Sequence, residues 1–273
     1  MTMVRQYYVD DITDISEREL LPLCHTIVPP ACLLGGWAVH LHVNDGFQHA
    51  YGRDYIGSRD VDFGFHIDPD WSPEELLESP IGRSIQRVTD AGYEPLSFRF
   101  VRYFDHETGE PLTDAASREL PSHNVFNLYL DFISDTPELE HFRDIFGFTP
   151  PADPILHAVF SEGAGVPLSE FRDWDIPESI KLADPAVLAC MKIRSIPDRD
   201  REQKRVKDVA DLHALLWYTR EYSELRDAVR SRLSTDDIDR LRRHLDATVH
   251  GQAAAVLGIE SDLVEESIEH IIR

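Results

Sequence analysis

Apolar and polar positions alternate most cleanly in two stretches. Between Asp60 and Ile67, Val61, Phe63, Phe65 and Ile67 fall on one side, and Asp60, Asp62, Gly64 and His66 on the other. That two-residue period predicts a strand with one buried face. Between Val125 and Ile133, Phe126, Leu128, Leu130 and Phe132 share one side, and Val125, Asn127, Tyr129 and Asp131 the other. A shorter apolar run, Ala31 to Leu34, predicts a buried strand. Gly35-Gly36 then turns the chain into a helix over Trp37 to Val43.

Around these strands the pattern is helical or broken by turns. A helix is expected from Ile15 to Cys24, opened by Ser16 with Glu19 three residues on and stopped by Pro29-Pro30. Residues 44–57 lack a period and read as a loop. Pro73 to Ala91 reads as one helix with Gly92 as its C-cap. Leu96 to Phe104 and a segment from Pro111 flank His106-Glu107-Thr108-Gly109, a hairpin pattern. Residues 147–180 carry many prolines and glycines, with short strands expected around 155–160 and 166–171. From Lys181 the pattern is helical, and Asp184-Pro185 is a helix-start signal. Helices are expected near 185–195, 199–220, 222–233, 235–249 and 261–272, the last two capped by Ser234 and Ser261. The predicted class is α+β: a mixed β-sheet flanked by helices over residues 1–180, then an all-helical domain over 181–273.

Composition narrows the setting. The 273 residues suffice for a substantial core. No charged-then-apolar leader and no apolar run of spanning length occur, so a cytoplasmic protein without membrane contact is expected. Cys24, Cys32 and Cys190 stand singly among apolar residues, without metal-type spacing, and read as free buried thiols. Asp and Glu total 50 against 27 Lys and Arg, a net charge of -23. Taken alone, that charge argues against nucleic acid as a partner. Only four of the basic residues are lysines, however, and an acid-rich, lysine-poor surface suits a halophilic source. In molar salt the Debye length is about 3 Å, so net charge says little about the partner.

Asp60 and Asp62, one residue apart on a strand, point to the same face. With Asp131 from the second alternating strand, three carboxylates could hold two divalent ions, the arrangement that clamps the attacking and leaving oxygens of phosphoryl transfer. All-oxygen donors suit Mg²⁺, with Mn²⁺ as the alternative. The ordinary alternative is a solvent-facing acidic strand in an acid-rich chain. Gly35-Gly36 shifts the balance, because glycines let a phosphate approach the backbone and a helix start attracts the anion.

Leu34-Gly35-Gly36, Asp60-Val61-Asp62 and Asp131 together resemble the core motif of the nucleotidyltransferase superfamily. Gly35-Gly36-Trp37-Ala38 looks most like the AbiEii-type branch, the abortive-infection toxins of type IV toxin–antitoxin systems. Leu188 to Arg194 resembles that branch's helix with a phosphate-contacting lysine, here Lys192. Arg205 to Leu212 resembles its helix with Asp-x-x-Asp-Leu, placing Asp208 in the site. The resemblance implies transfer of a nucleoside monophosphate from an NTP to a hydroxyl of a tRNA end or a protein, with an antitoxin protein as partner. It implies Asp60, Asp62 and Asp131 as catalytic metal ligands, and Gly35, Gly36, Ser58, Lys192 and Asp208 as nucleotide contacts. Ser58 keeps the branch's Ser/Thr place, whereas Ile56 stands where its arginine would be, with Arg53 or Arg59 as substitutes. A small-molecule nucleotidyltransferase shares every one of these residues. A non-catalytic nucleotide-binding module is the reading from another class.

The remaining candidates weigh less. All four lysines, Lys181, Lys192, Lys204 and Lys207, lie in one stretch. Lys204 with Asp208 reads as a helix ion pair, and Asp211 as a solvated or capping acid. His66 reads as a hydrogen-bonded surface histidine, and Trp37 as core rather than a base-stacking platform. His40 and His42, or His244 and His250, lack zinc-site spacing.

Overall fold

The alternating stretches form the centre of a mixed eight-stranded sheet, with helices around it and a helical C-terminal region. The computed structural model describes residues 10–272. In chain order the first elements are helix α1 (Asp10–Thr26), strand β1 (Ala31–Leu34), helix α2 (Gly35–Tyr51) and strand β2 (Asp60–Phe65). Helices α3 (Pro73–Glu78) and α4 (Pro80–Asp90) follow, then strands β3 (Glu94–Leu96), β4 (Arg99–Asp105) and β5 (Pro111–Leu112). After α5 (Asp114–Glu119) come β6 (Val125–Ser134), α6 (Phe142–Phe146), α7 (His157–Ser161), β7 (Gly165–Pro167) and β8 (Ile180–Ala183). The chain ends in α8 (Pro185–Ser195), α9 (Glu202–Tyr218), α10 (Tyr222–Arg232), α11 (Thr235–His244), α12 (Ala247–Leu257) and α13 (Ser261–Ile272).

Sheet order is β3-β4-β6-β2-β1-β8-β7, with β5 paired to β4. β2 runs parallel to β6 and antiparallel to β1, and β1 runs parallel to β8. Val61, Phe63 and Phe65 are buried on β2, as are Phe126, Leu128, Leu130 and Phe132 on β6. Phe132 meets Phe65 edge-on at 5.0 Å and Phe100 at 5.4 Å. The apolar stripes read from the sequence are the faces that pack.

The chain divides into two compact units. The sheet unit holds residues 10–37 and 57–183; the helical unit holds residues 38–56 and 184–272. At the centre of the helical unit, every residue of α9 from Val206 to Leu216 is buried. α8, α12 and α13 pack around it. A helix enclosed on all sides should be apolar throughout, yet this run contains Lys207, Asp208, Asp211 and His213. Each must therefore find a polar partner inside the unit.

Several expected boundaries are corrected. α1 already runs through Ser16, so Ser16 is no cap: its hydroxyl donates to the Thr13 carbonyl and to the Ser58 carbonyl. Residues 44–51, expected as loop, continue α2, because Val43 and Phe47 are fully buried. Phe47 meets Tyr55 edge-on at 5.2 Å and Tyr218 at 5.5 Å. The single helix expected from Pro73 breaks at Ser79-Pro80, where Ser79 is extended, ends α3 and caps α4 by accepting from Gly82 N–H. The strand expected at 155–160 is a helical turn leading into α7, started by Asp153-Pro154, the same signal as Asp184-Pro185. The helix expected at 235–249 is two, α11 and α12, since Leu245 is extended and Asp246 caps a new start. Ser261 is the first residue of α13. β3 and β8 went unread; each is too short to show a period. The three cysteines are buried and stand outside any disulfide. Among the described residues no helix is long and apolar enough to cross a membrane.

Candidate active site

Two parallel strands set the carboxylates. β2 and β6 pair with Asp60 opposite Tyr129 and Asp62 opposite Asp131. Paired residues on neighbouring strands project to one face, so Asp60, Asp62 and Asp131 share the face opposite the phenylalanine stripe. On the other flank β1 pairs antiparallel with β2, with Leu34 opposite Asp62. The next residue, Gly35, has φ +67°, and a β-carbon there would lie 1.8 Å from Asp62 Oδ2. Only glycine combines that left-handed backbone with so close a carboxylate. The result seats an acid against the first turn of α2, with Gly36 buried immediately after.

Asp131 is 8% exposed and is held by Arg99, whose Nη2 lies 2.6 Å from Asp131 Oδ2. The guanidinium also covers the ring of Tyr129 at 4.7 Å. The sequence placed Asp131 but not its partner: Arg99 becomes legible only once β4 is known to run antiparallel beside β6. Ser58 is buried, and its Oγ faces Asp60 N–H at 3.4 Å, beside the Ser16 contact that fixes this turn. Neither expected arginine substitute lies free at Ile56. Arg59 covers the ring of Phe126 at 5.3 Å, and Arg53 covers Phe47 at 5.0 Å while donating to the Leu257 carbonyl.

Lys192 and Asp208 belong to the helical unit, where they bind each other. Lys192 Nζ donates to Asp208 Oδ1 at 2.5 Å and lies 2.7 Å from Asp211 Oδ2. Arg199 Nε donates to the other Asp208 oxygen at 2.6 Å, and Ser195 Oγ lies 3.3 Å from it. Lys207 and the Tyr55 hydroxyl, the latter at 2.8 Å, both donate to Asp211 Oδ1. Burial alone would raise the Asp208 carboxyl, but Lys192 and Arg199 outweigh it and bring it down to about 2. Asp211 is likewise lowered against burial, by Lys192 and Lys207. Burial pulls the Lys192 ammonium down, yet Asp208 and Asp211 hold it above its ordinary value. For Lys207 burial prevails over Asp211, and its pKa is lowered. Asp211 is thus no solvated acid; it is fully buried.

One further cluster went unread. Asp135, one residue past the end of β6, is 6% exposed and lies 2.6 Å from His66 Nδ1 and 3.6 Å from His157 Nδ1. His66 is hydrogen-bonded, as expected, but its partner was not foreseen. Elsewhere on the sheet unit, a groove lined by Asp14, Arg18, His106, Arg172 and Trp174 contains none of the candidate residues.

No protein-family model matches the chain. No curated protein matches it either. Among solved structures, the chain is similar to an antigenic nucleotidyltransferase-like protein from Paracoccidioides brasiliensis. The two share 12% identity over 89% of this chain and 97% of that one, with a TM-score of 0.35. At that level of superposition the likeness assigns neither family nor activity to the chain.

Proposed function

We propose that the chain is a metal-dependent nucleotidyltransferase, moving a nucleoside monophosphate from an NTP to an acceptor hydroxyl. One observation carries this reading. Gly35, left-handed at the start of α2, lies against the carboxylate of Asp62, on a sheet face shared with Asp60 and Asp131. A phosphate-seating turn and a set of oxygen donors are then side by side on rigid elements.

The donor set fits a hard cation, since it is all carboxylate. Asp60 and Asp62 would hold Mg²⁺ or Mn²⁺, and Asp131 would contribute the oxygen that Arg99 does not engage. When bound, the ion supplies charge neutralisation for the phosphates and Lewis acidity at the transferred phosphoryl group. The chain's own residues do the rest. Backbone N–H groups at Gly35 and Gly36 would seat phosphate oxygens, neither residue carrying a side chain of its own. Arg99 fixes the direction of the Asp131 carboxylate, which accepts the proton of the acceptor hydroxyl as its oxygen bonds to the α-phosphorus and pyrophosphate leaves. Lys192 is held by Asp208 and Asp211 within the helical unit, in a cluster where Lys192, Lys207 and Arg199 carry three formal positive charges against two on Asp208 and Asp211.

The test is label transfer. The purified chain, with Mg²⁺ in molar KCl, is given each α-labelled NTP together with total cellular RNA and protein. We expect label in one acceptor fraction, falling to background in Asp60→Ala, which removes a donor without opening the core. Transfer that survives Asp60→Ala, or no transfer with any NTP, rejects the reading.

A further inference from the structure

We propose that His66, Asp135 and His157 form a three-ligand site for a zinc-class divalent cation, separate in chemistry from the carboxylate face. His66 Nδ1, Asp135 Oδ2 and His157 Nδ1 all lie within 4.8 Å of one another. In a tetrahedral zinc site with bonds of 2.0–2.1 Å, neighbouring ligand atoms stand roughly 3.3 Å apart. The two separations to Asp135 Oδ2, 2.6 Å and 3.6 Å, bracket that spacing.

The frame is rigid where it needs to be. Phe65 and Ser134 are the last paired residues of the parallel strands β2 and β6, and His66 and Asp135 are the next residue on each. Asp135 is tied down from two directions: its N–H donates to the Phe65 carbonyl at 3.1 Å, and its Oδ1 accepts from Ile67 N–H at 3.0 Å. That leaves Oδ2 aimed at the two imidazoles. The third ligand arrives on the first residue of α7. The preceding turn is fixed to β6, because Asp153 N–H donates to the Ser134 carbonyl at 2.8 Å. Trp71 and Phe160 each lie with the ring centroid 6.2 Å from that of His66 and add apolar surface beside it.

Chemistry selects the ion class. Two imidazole nitrogens and one carboxylate oxygen suit Zn²⁺, Co²⁺ or Ni²⁺ rather than Mg²⁺. Asp135 has its second oxygen committed to a backbone N–H, the outer hydrogen bond that orients metal-binding carboxylates. The His157 side chain is 60% exposed, so the cation can enter from solvent and keep a water as its fourth ligand. The alternative is a buried aspartate that merely hydrogen-bonds two histidines, and it predicts no cation uptake.

Zinc titration by calorimetry decides between them, run with millimolar Mg²⁺ to occupy all-carboxylate sites. Wild type should take up one equivalent of zinc. Asp135→Asn, which keeps an acceptor for Ile67 N–H, should lose it. His157→Ala should bind at least about a hundredfold more weakly, since losing even an outer partner costs tenfold to a hundredfold. Co²⁺ should give the visible bands of a four-coordinate ion in wild type and neither variant. Should Asp135→Asn fail to fold, the exposed His157→Ala decides alone. No zinc equivalent in wild type, or an unchanged one in His157→Ala, overturns the proposal.

Discussion

The Asp62 carboxylate occupies the place that a β-carbon on residue 35 would need, with Gly35 at φ +67°. The strand acid and the helix-start glycine therefore depend on each other. Gly35→Ala faces both a left-handed backbone and a clash, and should cost about 1–3 kcal/mol. Urea unfolding measures this. Gly35→Ala/Asp62→Ala should recover the clash and leave only the backbone cost. A double variant no more stable than the single one would mean the two residues are not in contact.

Arg99 and Asp131 form a mostly buried pair, with side chains 20% and 11% exposed. Arg99→Gln leaves a carboxylate without its guanidinium and should destabilise the fold by about 2 kcal/mol. Adding Asp131→Asn should restore part of that loss. Independent, additive losses in this cycle would show that the pair does not couple.

Lys192 lies among carboxylates with almost no water to replace it, 10% exposed against 5% for Asp208 and none for Asp211. Lys192→Met should cost about 3–5 kcal/mol, the usual result of stranding a buried charge. Asp208→Asn in that background should return part of the loss. A near-neutral Lys192→Met would place water where the structure places ion pairs.

Stability should fall with acid in two steps. His213, buried and bonded to Ser267 Oγ at 2.8 Å, is pushed by burial from 6.5 down to about 4. It favours the folded state while neutral, so its contribution is complete above pH 6.5 and is lost as pH falls toward 4, up to about 3 kcal/mol. Asp208, at about 2 when folded against about 3.9 unfolded, gives the second loss below pH 4. Urea midpoints from pH 7 to pH 3 test this. His213→Gln should flatten the curve between 6.5 and 4 and leave the lower step in place.

The charge of -23 makes salt part of the stability argument. Thermal midpoints should rise from low to molar KCl as self-repulsion is screened. A midpoint independent of KCl would show that the acidic surface costs the fold nothing at low salt.

The carboxylate face could be read from the sequence because strand period is a local property. Val61, Phe63 and Phe65 announce the buried side, and Asp60 and Asp62 follow by parity. The parallel pairing that aligns Asp62 with Asp131 is not local, nor is the approach of Gly35, so the sequence offered the parts without their distances. The α2 extension was hidden by Asn44, Asp45 and Gly46, polar or flexible residues whose helix is secured by Phe47 packing on the distant Tyr218. Asp211 misled for a related reason. A polar residue in a helix looks solvated until its enclosure is known, and here Tyr55, Lys192 and Lys207 close around it. Asp135 lay one residue past a strand end, outside any periodic pattern, and His157 lay in a segment expected to be a strand.

The helical unit has a discontinuous origin: residues 38–56 are joined by residues 184–272, with most of the sheet unit synthesised between them. On the ribosome, Phe47 and Tyr55 emerge long before Tyr218 and Asp211, the residues they pack on and bond to. The helical unit therefore closes only after residues 184–272 have been made, whereas β2 and β6 can pair much earlier. A chain stopped at residue 180 would leave the Phe47 side of α2 without its cover. Residues 38–56 thus wait on residues 184–272 for their packing partners.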